Sequence, residues 1–214
     1  MRVIHGNEIL TTLEELVNPD YTAVLVMNMQ NEFVSLTGGF ARHGFDVSRA
    51  RTIIPNIREL ISAARMAGVS VAYAEQIHRS SVGTILADGV DYYSYFQAGW
   101  APCVQAGMPE AKTVEELAPQ AIDLVFPKVR ASAFVGTPLD SSLRARGIKS
   151  IVLTGTSVHG CLVQTHYEAH QTGYYPVVAR DAVAPHGMDE SLLPQLIGFG
   201  DQFATDEILA MWSE

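Results

Sequence analysis

The chain is poor in cysteine, in positive charge and in long apolar runs. Its 214 residues include only two cysteines, Cys103 and Cys161. That number excludes a disulfide scaffold and a four-cysteine zinc site. Each thiol therefore reads as a core filler, a metal ligand or a reactive group. Lys and Arg total 14 against 23 Asp and Glu, a formal net charge of −9. Such a balance argues against a nucleic-acid-binding surface and against an anionic membrane surface. It leaves room for a small anion held by one or two local cations. No apolar run approaches the ~20 residues needed to cross a bilayer. The first seventeen residues lack a basic region followed by an apolar stretch, and Glu8, Glu14 and Glu15 interrupt them. No signal peptide is expected there, and the default location is cytoplasmic. There is no low-complexity linker and no internal repeat.

What is present is apolar residue in quantity, 48% of the chain. That is ample for a core, and the length predicts one domain spanning 1–214. The run YTAVLVM at 21–27 predicts a buried strand. Further strands are expected at 69–74, 122–126, 150–153 and 174–179, with a last one over 203–209. Between them, Ile53, Ile54, Ile57, Leu60, Ile61 and Ala64 recur at helical spacing within 47–66. Asp46 serves there as N-cap, and Pro55 either kinks the helix or delays its start. A second helix should begin with Thr137 as N-cap and Pro138 at its first position, and Gly147 should end it. Helices are also expected at 158–172 and 189–199. Residues 79–118 show weak periodicity and read as a long functional excursion. Strand–helix alternation implies a parallel sheet of about six strands covered on both faces, a three-layer αβα sandwich.

Ligands bind such sheets beyond the carboxyl ends of the strands. The candidate segments are therefore 28–33, 75–79, 128–134 and 155–161. Cys161 ends the stretch GTSVHGC, between a strand and the first turn of a helix. Free N–H groups and the helix dipole there favour a thiolate and would hold an oxyanion. From position alone, a small buried hydrophobe is an equally good reading. Cys103 lacks this setting and reads as a filler. Lys128, in FPKVRASAF, points toward the presumed cleft, although a strand-end lysine reaching solvent is the ordinary case. With Arg130 it makes a local positive site suited to a carboxylate or carbamoyl group. Asn28, Gln30, Asn31 and Glu32 flank the same crevice, as polar residues that terminate strands commonly do.

Taken together and in order, VMNMQNEF, FPKVRASAF and TGTSVHGC resemble the isochorismatase-like cysteine hydrolase family, over nearly the whole span from Tyr21 to Leu209. The similarity points to its amidohydrolase branch, that of N-carbamoylsarcosine amidase and the biuret and ureidoacrylate hydrolases. It implies a Rossmann-like six-stranded fold and hydrolysis of a C–N bond in a small amide, ureide or carbamoyl compound. Cys161 is then the nucleophile and Lys128 the middle member of a triad whose first member falls on Asn28. A cis peptide is implied between Thr156 and Ser157, with the N–H groups of Ser157 and Cys161 forming an oxyanion hole. Gln30, Phe33, Gln76, Arg79, Arg130, Phe134, Thr156 and His159 are the substrate-binding candidates. No cofactor, metal, nucleic acid or membrane partner is implied, and relatives of this kind are commonly homodimers or homotetramers.

Asn28 departs from the family pattern, which has an aspartate there. An amide cannot accept the thiol proton. Three explanations stand: an engineered Asp→Asn change, a natural variant in which Glu32 or a histidine serves as base, or a non-catalytic binding or assembly relative. Isochorismatase-type vinyl ether hydrolysis is a further alternative, and it would need an acid at position 28. His78 stands alone after the second strand, so a nicotinamidase-like metal site loses support. His166 and His170 are four apart on one helix and read as solvated or interface residues. Tyr92, Tyr93, Tyr95, Phe96 and Trp100 fit either a lid or packing.

Overall fold

A computed structural model describes residues 2–77, 104–186 and 201–213. His78, Arg79, the aromatic segment 92–100, Cys103 and the helix expected at 189–199 lie outside the described residues. The strands are β1 (Arg2–Ile4), β2 (Asn7–Ile9), β3 (Thr22–Met27), β4 (Ser70–Gln76), β5 (Leu124–Lys128), β6 (Ser150–Thr156), β7 (Tyr175–Ala184) and β8 (Asp201–Phe203). The helices are α1 (Leu13–Leu16), α2 (Asn31–Val34), α3 (Gly39–Arg42), α4 (Ser48–Thr52), α5 (Ile54–Met66), α6 (Leu139–Ala145), α7 (Val163–Gln171) and α8 (Thr205–Trp212). β3 to β8 form one sheet in the order β5-β4-β3-β6-β7-β8, with every neighbouring pair parallel. β1 and β2 form a separate antiparallel hairpin.

Side-chain alternation along the central strands divides the core into two layers. Val24, Val26, Val71, Tyr73, Val152 and Val177 face Ile57, Leu60, Ile61 and Ala64 of α5 and Ile208 and Trp212 of α8. Ala23, Leu25, Met27, Ala72, Ile151, Leu153 and Val178 face Leu139 and Leu143 of α6 and Ala169 of α7. All six residues of β3 are buried, as a strand with helices on both faces requires. The three-layer αβα sandwich read from the sequence is the observed architecture.

Several boundaries differ from the sequence reading, each for a local reason. The helix expected over 47–66 is two helices that meet at Ile53. Pro55 lies in the first turn of α5, where its missing N–H costs no helical bond. Asp46 Oδ1 accepts the Ser48 N–H at 2.8 Å. Pro138 is the cap residue of α6 rather than its first member, while Thr137 Oγ1 accepts the Leu139 N–H at 3.2 Å. β5 runs through Pro127, which an edge strand tolerates. The strand expected over 203–209 is not formed. β8 stops at Phe203 and α8 takes Thr205–Trp212. Asp206 and Glu207 favour the positive helix end, and the Glu207 carboxylate accepts the Ala204 N–H at 2.7 Å.

The carboxyl ends of β3, β4, β5 and β6 bring Asn28, Gln76, Lys128 and Ser157 to one end of the sheet. β6 approaches β3 closely at Gly155, which has φ of +103°. An ideal Cβ there would lie 2.1 Å from Met27 O. Gly155→Ala is therefore expected to lower unfolding free energy by at least about 2 kcal/mol, because both backbone conformation and space oppose it. Urea denaturation of the variant, read by far-UV circular dichroism, measures this.

Candidate active site

Lys128 ends β5 with 1% of its surface exposed. Its Nζ donates to Gln76 Oε1 at 2.7 Å, to Arg130 O at 3.0 Å and to Cys161 Sγ at 3.3 Å. An ammonium has three N–H donors, so each has an acceptor. Gln76, the last residue of β4, is itself fixed by Gln30. Gln30 Oε1 accepts the Gln76 N–H at 2.8 Å, and Gln30 Nε2 donates to Gln76 O at 2.8 Å and Ala111 O at 2.7 Å. Gln30 thus clamps the strand end from behind.

Asn28 follows β3 with φ of +51°, a left-handed conformation that asparagine tolerates well. Its N–H donates to Ala74 O at 3.1 Å, while its buried Oδ1 has no hydrogen-bond partner among the described residues. After β6 the Thr156–Ser157 peptide is cis, at the position the family resemblance implies. A wide turn over Val158–Leu162 follows, in which the Gly160 and Leu162 N–H groups both bond to Ser157 O, at 3.3 and 3.2 Å. Cys161 therefore sits inside this turn, ahead of α7. Thr165 Oγ1 donates to Cys161 O at 2.7 Å and accepts the Ala133 N–H at 2.9 Å. Ser132 Oγ bonds the Glu168 carboxylate and accepts the Phe134 N–H at 3.2 Å. The small residues of the lysine segment thereby tie the loop after β5 to α7, which sets Lys128 against Cys161.

A cavity of about 310 Å³ opens at this point. Its polar wall is Asn28, Gln76, Ser157, His159, Cys161 and His186, and its apolar wall is Phe33, Phe40, Phe45, Ala131 and Gly160. The fold thus gathers Asn28, Phe33, Gln76, Ser157, His159 and Cys161 from the sequence candidates. Lys128 lies directly behind, touching Gln76 and Cys161. Four other candidates fall outside the wall. Gln30 is the clamp described above. Phe134 packs in the core, 5.7 Å from the Tyr174 ring. Thr156 is fully buried and turned toward His186. Arg130 contributes its backbone carbonyl to Lys128, and its guanidinium donates to Val129 O at 3.4 Å. Glu32 is also off the wall. It is buried, and burial raises its carboxyl above the usual range. Gly39 admits it, since a Cβ there would lie 1.6 Å from Glu32 Oε1.

Phe40, Phe45 and His186 were not read from the sequence. Phe40 is the hub, with ring centroids 4.9 Å from Phe33, 5.2 Å from Phe45 and 5.0 Å from His186. His186 would have been found had β7 been extended to its observed end at Ala184, since it then obeys the carboxyl-end rule. Its Nε2 lies 3.1 Å from Phe33 O, which can only accept, so Nε2 carries the proton. Nδ1 then accepts from Thr156 Oγ1 at 2.9 Å. Burial depresses this imidazole to about 4. His166 and His170 do not share an environment: His170 is exposed, whereas His166 is fully buried and depressed to about 4, chiefly by burial. Among the described residues no group of three or more His, Cys, Asp or Glu is placed to hold a metal ion. Among them, too, no helix is long and apolar enough to cross a membrane.

A model of the isochorismatase domain matches residues 22–191. Ureidoacrylate amidohydrolase RutB of Enterobacter sp. (strain 638) is 31% identical over 196 residues, covering 79% of this chain and 77% of the relative. RutB of Stutzerimonas stutzeri (strain A1501) is 33% identical over 193 residues, covering 78% and 71%. Among solved structures, a cysteine hydrolase from Pseudomonas syringae pv. phaseolicola 1448A superposes with a TM-score of 0.78 at 29% identity, covering 92% of this chain and 94% of that one. N-carbamoylsarcosine amidase from Thermoplasma acidophilum gives 0.68 at 25% identity, covering 87% and 97%.

The two depressed histidines make stability depend on pH with a definite sign. In the unfolded chain they take up protons below about 6.5, but in the folded chain only near 4. The unfolded state therefore binds more protons between these values, and stability falls as pH drops from about 6.5 toward 4, by roughly 2–3 kcal/mol for each histidine. Urea midpoints between pH 7.5 and 4.5 check this, with His166→Gln expected to flatten the decline.

Proposed function

This chain belongs to the isochorismatase family, and from that premise we propose that it hydrolyses a C–N bond of a small amide, ureide or carbamoyl compound through a Cys161 thioester. The observation that carries the reading is the Lys128 Nζ donor 3.3 Å from Cys161 Sγ, beside a cavity shared by Asn28 and Ser157. Relatives named for ureidoacrylate and N-carbamoylsarcosine hydrolysis support the substrate class.

In this mechanism the Cys161 sulfur attacks the carbonyl carbon. The Ser157 and Cys161 N–H groups receive the developing oxyanion. Lys128 stabilises negative charge on sulfur at attack and at release, while Gln76 and the Arg130 carbonyl hold its ammonium in place. The amine leaves, and water then releases the acid from the thioester. Asn28 supplies an acceptor oxygen on the wall and no proton transfer. Vinyl ether hydrolysis is disfavoured, because it needs an acid at position 28.

A screen of small ureides and primary amides for ammonia release, with mass spectrometry of the trapped protein, tests this. Acylation of Cys161 is expected, and Cys161→Ala should lose at least about 10³-fold in kcat/KM. Full turnover by Cys161→Ser, with no adduct on the parent protein, would overturn the mechanism. Lys128→Met should lower kcat with little change in KM, because the ammonium acts on charge that appears during reaction.

A further inference from the structure

The thioester route needs a proton carrier, and a carboxamide at position 28 is not one. Among the described residues, the titratable side chains on the cavity wall are Cys161, His159 and His186. His186 is committed at both nitrogens, donating to Phe33 O and accepting from Thr156 Oγ1. Glu32 is off the wall, with its carboxylate held against the Gly39 N–H. His159 differs from both. Ser157 Oγ lies 3.1 Å from its Nδ1 and 3.4 Å from its Nε2, and a single hydroxyl hydrogen can serve only one of them, on a ring that lines the cavity. It stands two residues before Cys161, in the same wide turn. Desolvation holds its imidazole below the ordinary value, the direction that favours the neutral, proton-accepting form. The described titratable and charged groups around it are Cys161, with Lys128 Nζ on its sulfur, and His186. None of these is a carboxylate. Asn28 Oδ1, buried and without a described partner on the same wall, suits a substrate N–H donor.

We infer that His159 carries the protons of this reaction, and that Asn28 Oδ1 anchors a substrate N–H in place of proton transfer. The inference rests on the thioester reading. As the sulfur–carbon bond forms, the thiol proton passes to a His159 ring nitrogen. Collapse breaks the C–N bond, and His159 delivers that proton to the departing nitrogen. Water then attacks the thioester carbonyl and gives its proton to His159. The C–O bond forms, the C–S bond breaks, and the proton returns to sulfur. One amide and one water become one acid and one amine, with both side chains regenerated.

The test uses the full chain and p-nitrophenyl acetate, whose leaving group needs no proton. The parent protein should show steady turnover with an acid limb centred below about 6.5, the direction in which His159 is displaced. His159→Gln should release one equivalent of nitrophenolate and then stall, with steady-state kcat lower by at least about 100-fold. An acetyl adduct should remain on Cys161, and the acid limb should disappear. Added imidazole should restore part of the turnover, and Asn28→Asp in the same background should restore more. A residue with only a structural role would yield neither rescue. His159→Ala, read in the same way, guards against an effect of the new amide. Unchanged steady-state rate and pH profile in both variants would overturn the inference and leave the thioester reading standing. Turnover by the parent without any Cys161 adduct, retained in Cys161→Ser, would overturn both.

Discussion

A lysine ammonium buried at the end of an edge strand is the constraint on which the rest of the site depends. A cation removed from water is stable only when its donors are satisfied. Lys128 meets that demand with three acceptors drawn from three places: the Gln76 side chain at the end of β4, the Arg130 carbonyl in its own loop, and the Cys161 sulfur beyond β6. Each acceptor is in turn held by something else. Gln30 grips both backbone groups of Gln76, and Thr165 ties Cys161 to the loop after the lysine. The cation therefore fixes the relative positions of three strand ends. Its electrostatic requirement and the placement of the Cys161 sulfur are one arrangement.

The second constraint is steric and lies on the opposite side of the cavity. Gly39 exists where it does because the Glu32 carboxylate occupies the space of its missing side chain. That carboxylate anchors the short helix bearing Phe40, whose ring then organises Phe33, Phe45 and His186 into one wall. Glu32, a candidate base in the sequence, thus serves the cavity without entering it. The wall it supports is aromatic and uncharged, and the cation sits on the far side behind sulfur. Substrate selection in the described part of the cavity rests accordingly on shape and on a few neutral polar atoms.

Much of this was legible because period and position carry it. The apolar run of β3, the carboxyl-end rule and the order of three motifs located Asn28, Gln76, Lys128, Ser157 and Cys161. The failures share a cause. Phe134 and Gln30 lie in the same motifs as residues that line or adjoin the cavity, but motif membership does not say which face a side chain takes. In the structure one packs in the core and the other clamps a strand from behind. The end of β7 was placed short at 179 because Arg180 and Asp181 break its apolar run, and His186 was lost with it. The last strand was misjudged because Phe203, Ile208 and Leu209 satisfy an apolar pattern, while the Glu207 carboxylate on the Ala204 N–H starts a helix there. Contacts such as Phe40 with His186 join residues distant in sequence, which local pattern does not encode.

The backbone at position 28 does not distinguish asparagine from aspartate. Its left-handed φ of +51° suits asparagine and aspartate alike. The N–H bond to Ala74 O uses no side-chain atom. Exchange between the two residues therefore leaves the strand end unchanged and alters only what the side chain does chemically. An aspartate at this depth would bury a charge that asparagine does not carry. The asparagine places an uncharged amide in the cavity lining, with its Oδ1 buried and without a partner among the described residues. In the proposed thioester mechanism, proton transfer then falls to a side chain that reaches the cavity from another element. The turn that carries Cys161 also carries His159, and hydrogen bonds to the carbonyl of Ser157 fix its geometry.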